Sequence, residues 1–315
     1  MVIRHAWLLS GAAIVALAGA LTATGFAGPR APAFDRDRLQ MNAVETTVAA
    51  ADAHVPIPVG TPAAGAMASA VSAVALYKEF TARGYTLDAV RSAREAVPRV
   101  FLARLPGDLP TIDSLDLRKA VFIKMMLPLI LVENERIRAD RIRALDIRRR
   151  LEEGHTVPSD ELAWLAALAD RYGVDDGNLD ELFRRVDVIP PALALGQAAV
   201  ETGWGTSRVA QAGHAMFGEM VFRIDGDTVI ENVRMFENLS AAVAAYTRNL
   251  NTHRAYAEFR AARAEMRGSG TDLDGYELAR HLLRYSELKA DYVNLVRLVI
   301  RSNDLRSFDH ARLGN

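Results

Sequence analysis

Val188-Ile189-Pro190-Pro191-Ala192-Leu193-Ala194-Leu195-Gly196-Gln197-Ala198-Ala199-Val200-Glu201-Thr202-Gly203-Trp204-Gly205-Thr206-Ser207 reads as a helix with a clear beginning, interior and end. The two prolines open it, because a proline's missing N–H would have no partner in the first helical turn. The Ala, Leu and Val residues that follow leave apolar surface nearly all round, which places the helix inside a domain. Gly203 and Gly205, on either side of Trp204, end it and leave room for a backbone or a sugar ring to come close. Helical patterns dominate the chain on both sides, so the fold class is mainly α.

Two polar residues break the apolar surface. Gln197 and Glu201 are four apart and share one face. A carboxyl at the end of a buried apolar helix has its charged form disfavoured by desolvation, so its pKa rises. That is the condition a general acid needs at neutral pH. On the residues alone, a capping or structural carboxylate is the competing reading of Glu201, and Trp204 either stacks on a sugar or fills the core.

Working outward, Arg4 and His5 precede an apolar stretch from Ala6 to about Ala23, followed by small residues up to position 27. Residues 1–27 are expected to be a signal peptide or an uncleaved inner-membrane anchor, with the remainder exported to the periplasm or cell envelope. Residues 28–72, rich in Pro, Ala and Gly, are expected to be a linker. The region 73–315 is expected to be the helical domain, with a catalytic core at about 187–310. Within it, Asp116 to Arg150 predicts a helix that is buried first, kinks near Pro128 and continues as an exposed, arginine-rich half. Pro158-Ser159-Asp160-Glu161 supplies a cap residue and acids for another helix, closed by Gly173. Two β-rich runs between Met220 and Met235 flank Asp225-Gly226 and predict a hairpin. Beyond about Leu239 the chain reads as helical to its end.

Composition excludes several chemistries. With 38 basic against 39 acidic side chains, the chain has no overall field to gather nucleic acid, so none is expected as a partner. The absence of cysteine removes disulfides, thiolate metal sites and thiol nucleophiles. His253 and His281 lack a second ligand at metal spacing, and Ser207 has no local His or Asp to activate it. No metal and no cofactor are therefore expected. Tyr246, Tyr256, Tyr276, Tyr285 and Tyr292 are candidates to line a sugar cleft, against the ordinary reading of core or rim tyrosines.

The stretch Leu195 to Ser207 resembles the signature of the peptidoglycan-cleaving endo-β-N-acetylglucosaminidase family, in particular its Bax-like branch. Ala215-Met216-Phe217-Gly218 is similar to that family's following Asn-Leu-Phe-Gly element. Tyr246 to His253 with Ala255-Tyr256, and Tyr285-Ser286 with Asp291-Tyr292, resemble later stretches of the same branch. The resemblance runs from about residue 100 to 310. It implies a lysozyme-like helical domain with a small β-hairpin beside the cleft, acting on peptidoglycan glycan strands at β-1,4 bonds of N-acetylglucosamine. On this resemblance Glu201 matches the general acid and Tyr285 an active-site tyrosine. Glu219 and Glu231 are the candidates for a second carboxylate, which would stabilise charge at the anomeric carbon or activate water. Gln197, Trp204, Phe217, Tyr246 and Asn249 are the candidate substrate-binding residues. An Asn usual in the family near positions 214 and 215 is replaced here by His214 and Ala215. The alternatives are a muramidase or lytic transglycosylase on the same fold, or a wall-binding protein that has lost turnover.

Overall fold

The computed structural model describes residues 72–175, 177–225 and 228–315. The expected signal or anchor segment 1–27, and all of the 28–72 linker except Ser72, lie outside these residues. Helix α1 (Ala73–Ala82) starts where Ser72 Oγ accepts the Ala75 N–H, and α2 (Leu87–Arg91) is capped in the same way by Thr86. Helix α3 spans Leu115–Glu152. It is followed by α4 (Ser159–Arg171), α5 (Leu179–Arg185), α6 (Pro191–Thr202) and α7 (Arg208–Gly213). Strands β1 (Met220–Asp225) and β2 (Thr228–Val233) form a two-stranded antiparallel sheet in which Met220 pairs with Val233 and Phe222 with Glu231. Helices α8 (Leu239–Thr252), α9 (Ala257–Gly268), α10 (Gly275–Leu278) and α11 (Ala290–Ser302) complete the domain. The mainly helical architecture with one small hairpin is the one the sequence predicts.

Helix α3 organises the molecule. At 38 residues it is roughly 57 Å long. It runs as one helix through Pro128, although a proline there removes the bond to the Lys124 carbonyl. Its first half, Val121 to Leu131, enters the main core with α6, α8 and α11. Its second half is more than the solvated face expected from its arginines. Ile137, Ala144 and Ile147 form a stripe that packs on Leu165, Leu168, Tyr172, Leu182 and Phe183, making a smaller second core with α4 and α5. The arginines themselves are taken up by neighbouring acids: Arg136 by Glu133 and Asp140, Arg148 by Glu152 and Asp180, Arg149 by Asp146 and Glu153. At the start of α4, Pro158 occupies the cap position and no side-chain cap bond forms, so the expected capping role of Ser159 is not realised.

Helix α6 lies at the centre of the main core, and all its residues but Glu201 are buried. Gly196 makes this possible: a Cβ there would stand 2.7 Å from the Ile300 side chain of α11. The entry to α6 is pinned to α3, where Asn134 donates to the Ile189 carbonyl at 2.7 Å and accepts the Ile189 N–H at 3.0 Å. Its first turn is capped from the far end of the chain, with Asp309 accepting the Ala192 N–H at 2.7 Å and the Gly275 N–H at 2.9 Å.

Candidate active site

The C-terminal end of α6 builds the site. Gly203 adopts the left-handed conformation with φ 57°, and Trp204 (φ 61°) and Gly205 (φ 81°) continue it. For Trp204 this backbone costs about 1–2 kcal/mol, which its surroundings must offset. They do so by burial: Trp204 is 5% exposed and meets the Phe122 ring edge-on at 5.7 Å between centroids. The sugar-stacking role expected for Trp204 therefore gives way to the core-filling one. Its indole is an anchor beneath the turn, and Gly205 follows because a Cβ would press on Leu109, Phe122 and Leu105.

Two residues before this turn, Glu201 keeps a partial opening to solvent while its carboxyl is enclosed. Burial pushes that carboxyl up to about 7, and a hydrogen bond with Tyr292 pulls the other way without cancelling it. Gly218 of the Phe217-Gly218 element lies directly against it. A Cβ on Gly218 would stand 2.4 Å from Glu201 Oε2, and the residue has φ +64°. Both facts require glycine there.

The remaining groups close around Glu201 in layers. Gln197 and Tyr246 are each 0% exposed, and Phe217 is 1% exposed. These three were expected to touch substrate. Their burial makes them packing behind the Glu201 carboxyl instead. The Phe217 and Tyr246 rings stack at 3.9 Å, and the Tyr246 hydroxyl donates to Gln197 Oε1 at 2.9 Å. Gln197 Nε2 donates in turn to the Tyr292 hydroxyl at 2.9 Å. Tyr285 is part-exposed. Its hydroxyl donates to the Phe217 carbonyl at 2.7 Å and its ring stacks on Tyr292 at 5.4 Å, so it holds the Phe217-Gly218 element in place. Asn249, half-buried on α8, hydrogen-bonds Tyr256, whose hydroxyl burial pushes up to about 12.

The two candidates for a second carboxylate differ in their setting. Glu219 follows Gly218 directly, and burial pushes its carboxyl up to about 7 against the pull of Arg234. Arg234 Nη1 lies 3.4 Å from Glu219 Oε2, while Oε1 is buried with no hydrogen-bond partner. Tyr256 feels the charge of both Glu219 and Glu201. Glu231 stands exposed on β2. His214 is the left-handed cap of α7 with φ 52°. Histidine is among the non-glycine residues enriched in that backbone conformation. Among the described residues no cluster of three or more His, Asp or Glu is arranged to hold a metal ion.

Sequence reasoning missed Tyr292 as the partner of Glu201, Gly218 as the floor beneath it and Asp309 as the cap of its helix. No local rule links these positions. Only the bare pairing of a motif with a later tyrosine-rich stretch could have raised the first.

The sequence profile of the family described as mannosyl-glycoprotein endo-beta-N-acetylglucosaminidase matches residues 178–305, the region from α5 through α11. Protein bax of Escherichia coli (strain K12) is 30% identical over 195 residues, which cover 59% of this chain and 70% of that protein. No solved structure matches. The matched stretch 178–305 includes Glu201, Gly218 and the tyrosines around them, and the chain belongs to the Bax-like endo-β-N-acetylglucosaminidase family of glycoside hydrolases.

Proposed function

We propose that the protein is an exported peptidoglycan hydrolase that cleaves the β-1,4 bond following N-acetylglucosamine, with Glu201 as the general acid. The observation that carries this reading is the Glu201 carboxyl, pushed up to about 7 by burial and left partly open above Gly218. An acid with that pKa keeps its proton in about half the molecules at pH 7 and can give it to a leaving glycosidic oxygen. Glu219 is the second carboxylate in this reading, supported by its burial and by the tyrosine it shares with Glu201. It stabilises positive charge at the anomeric carbon or activates water, as glycosidic cleavage requires. Export through residues 1–27, with a cell-envelope location, is supported by the basic-then-apolar start of the sequence.

The test is the end group. Peptidoglycan sacculi digested with the full chain, then reduced and analysed by mass spectrometry, are expected to yield reduced N-acetylglucosamine ends. Reduced N-acetylmuramic acid ends would make the protein a muramidase, and anhydro ends a lytic transglycosylase. Glu219→Gln and Glu231→Gln compared in the same assay decide the second group. Glu219→Gln is expected to lose at least tenfold in rate and Glu231→Gln much less, and the reverse order would move the role to the hairpin.

A further inference from the structure

The hydrogen bonds behind Glu201 have a fixed direction. An amide oxygen accepts only and an amide nitrogen donates only, whereas a tyrosine hydroxyl has one hydrogen to give. The Tyr246 hydroxyl reaches Gln197 Oε1 at 2.9 Å and so must be the donor. With Oε1 facing Tyr246, the Gln197 amide turns Nε2 toward Tyr292, which accepts at 2.9 Å. Since Tyr292 accepts from Gln197, its one hydrogen remains to be given, and the acceptor beside it is the Glu201 carboxyl. The opposite amide orientation would turn the Tyr292 hydrogen toward Gln197 and leave Glu201 without it. All three members of the chain behind Glu201 are buried, so water cannot substitute for a lost partner.

We propose that Gln197 and Tyr246 are positioning residues that act through Tyr292: the locked amide commits the Tyr292 hydrogen to one Glu201 oxygen, so the acid's own proton stands on the other. The inference rests on Glu201 being the acid. The titratable groups facing Glu201 are Tyr292 on α11, Tyr285 on the 282–289 loop, Tyr256 at the start of α9 and, across Tyr256, Glu219 with Arg234. Of these, Tyr292 hydrogen-bonds the Glu201 carboxyl, and that bond favours its charged form.

The experiment follows the Glu201 carboxyl by carbon NMR in the full chain labelled at glutamate side-chain carboxyls. Its resonance is assigned by its loss in Glu201→Gln, and each sample is also assayed for peptidoglycan cleavage against pH. In Tyr292→Phe the charged form loses its donor, so the Glu201 titration is expected to move up by about one pH unit, with the alkaline limb of cleavage moving up alongside it. Tyr246→Phe frees the amide to turn and is expected to give a smaller move in the same direction. A role confined to packing would lower thermal stability and leave the titration where it is. An unmoved titration in both variants overturns the proposal. Should Tyr292→Phe not fold, Tyr246→Phe and Gln197→Met decide on the same criterion. The two readings separate cleanly: cleavage surviving in Glu201→Gln removes the acid assignment, whereas a dead Glu201→Gln with unmoved titrations removes only the relay.

Discussion

Asp187 and Glu201 are acids with enclosed carboxyls at opposite ends of the segment that forms α6, and the domain treats them in opposite ways. Asp187 is 2% exposed, and burial alone would push its carboxyl up. Arg263, Arg267 and Arg141 together hold it below the usual range. Arg267 donates twice, at 2.9 and 3.1 Å, and Arg263 is itself 0% exposed, its pKa drawn down to about 10 by burial. The same arginines bind backbone carbonyls: Arg263 those of Asp187, Val188 and Arg184, and Arg141 those of Phe183 and Val186. This stitching joins α5 and the small second core to the main one. Glu201 has tyrosines where Asp187 has arginines, and its carboxyl is held up at about 7. Burial therefore raises the stakes for both acids, and the charge of the neighbours decides which is held as an anion and which keeps its proton up to about neutrality.

The largest effect expected is on Glu201. Glu201→Gln keeps the volume and removes the transferable proton, so cleavage is expected to fall by about 10²–10⁴-fold while sacculus binding persists. The same change should stabilise the fold above neutrality. A carboxyl whose folded pKa is raised favours the folded state at low pH, and that advantage is lost as pH rises through about 7. Melting compared at pH 5 and pH 8 should show the variant gaining on the parent only at the higher pH, by about 1–3 kcal/mol. A variant less stable than the parent at pH 8 would place Glu201 with Asp187 as a structural acid.

Asp187→Asn is the opposite case. It strands the buried Arg263 without its counterion and is expected to cost about 3–5 kcal/mol, measured by chemical denaturation, with cleavage per folded molecule retained. Its sign with pH is reversed as well. The Asp187 contribution is present above the unfolded pKa and lost as pH falls through the depressed folded value, so parent and variant should converge in acid.

Gly218→Ala sharpens the comparison by disturbing Glu201 without touching its charge. The new Cβ meets Glu201 Oε2 on a backbone with φ +64°. Cleavage is expected to drop at least tenfold and stability by about 1–2 kcal/mol. Parent-level cleavage would show that the carboxyl need not rest against this turn.

Tyr285→Phe removes the bond to the Phe217 carbonyl. We expect about 1 kcal/mol of stability and roughly an order of magnitude in turnover to be lost. An unchanged rate would return Tyr285 to the core. His214→Asn is the smallest change: both residues accept the left-handed backbone, so melting should stay within about 0.5 kcal/mol of the parent. A larger loss would mean that the buried imidazole has a role beyond capping α7.

The sequence by itself determined the parts that local physics controls. Pro190-Pro191 and Gly203-Trp204-Gly205 bound the central helix because proline suits a first turn and glycine suits a left-handed exit. The apolar residues between them placed it inside, and Gln197 and Glu201 fell on one face by helical spacing. The hairpin was legible in its two β-rich runs. Local pattern could not show that the arginine-rich half of α3 carries a second core, because Ile137, Ala144 and Ile147 acquire an apolar partner only when α4 and α5 fold back on them. Nor could it tell whether Trp204, Tyr246 and Gln197 face a sugar or the interior, since an aromatic or amide side chain suits either place and the surrounding helices decide. The sharpest limit lies in the two acids. Asp187 and Glu201 both border an apolar helix, but their charge states are set by Arg263 and Arg267 in one case and by Tyr292 in the other. Those partners arrive from α9 and α11, far along the chain, and electrostatic interaction depends on distance in space, which only the tertiary structure supplies.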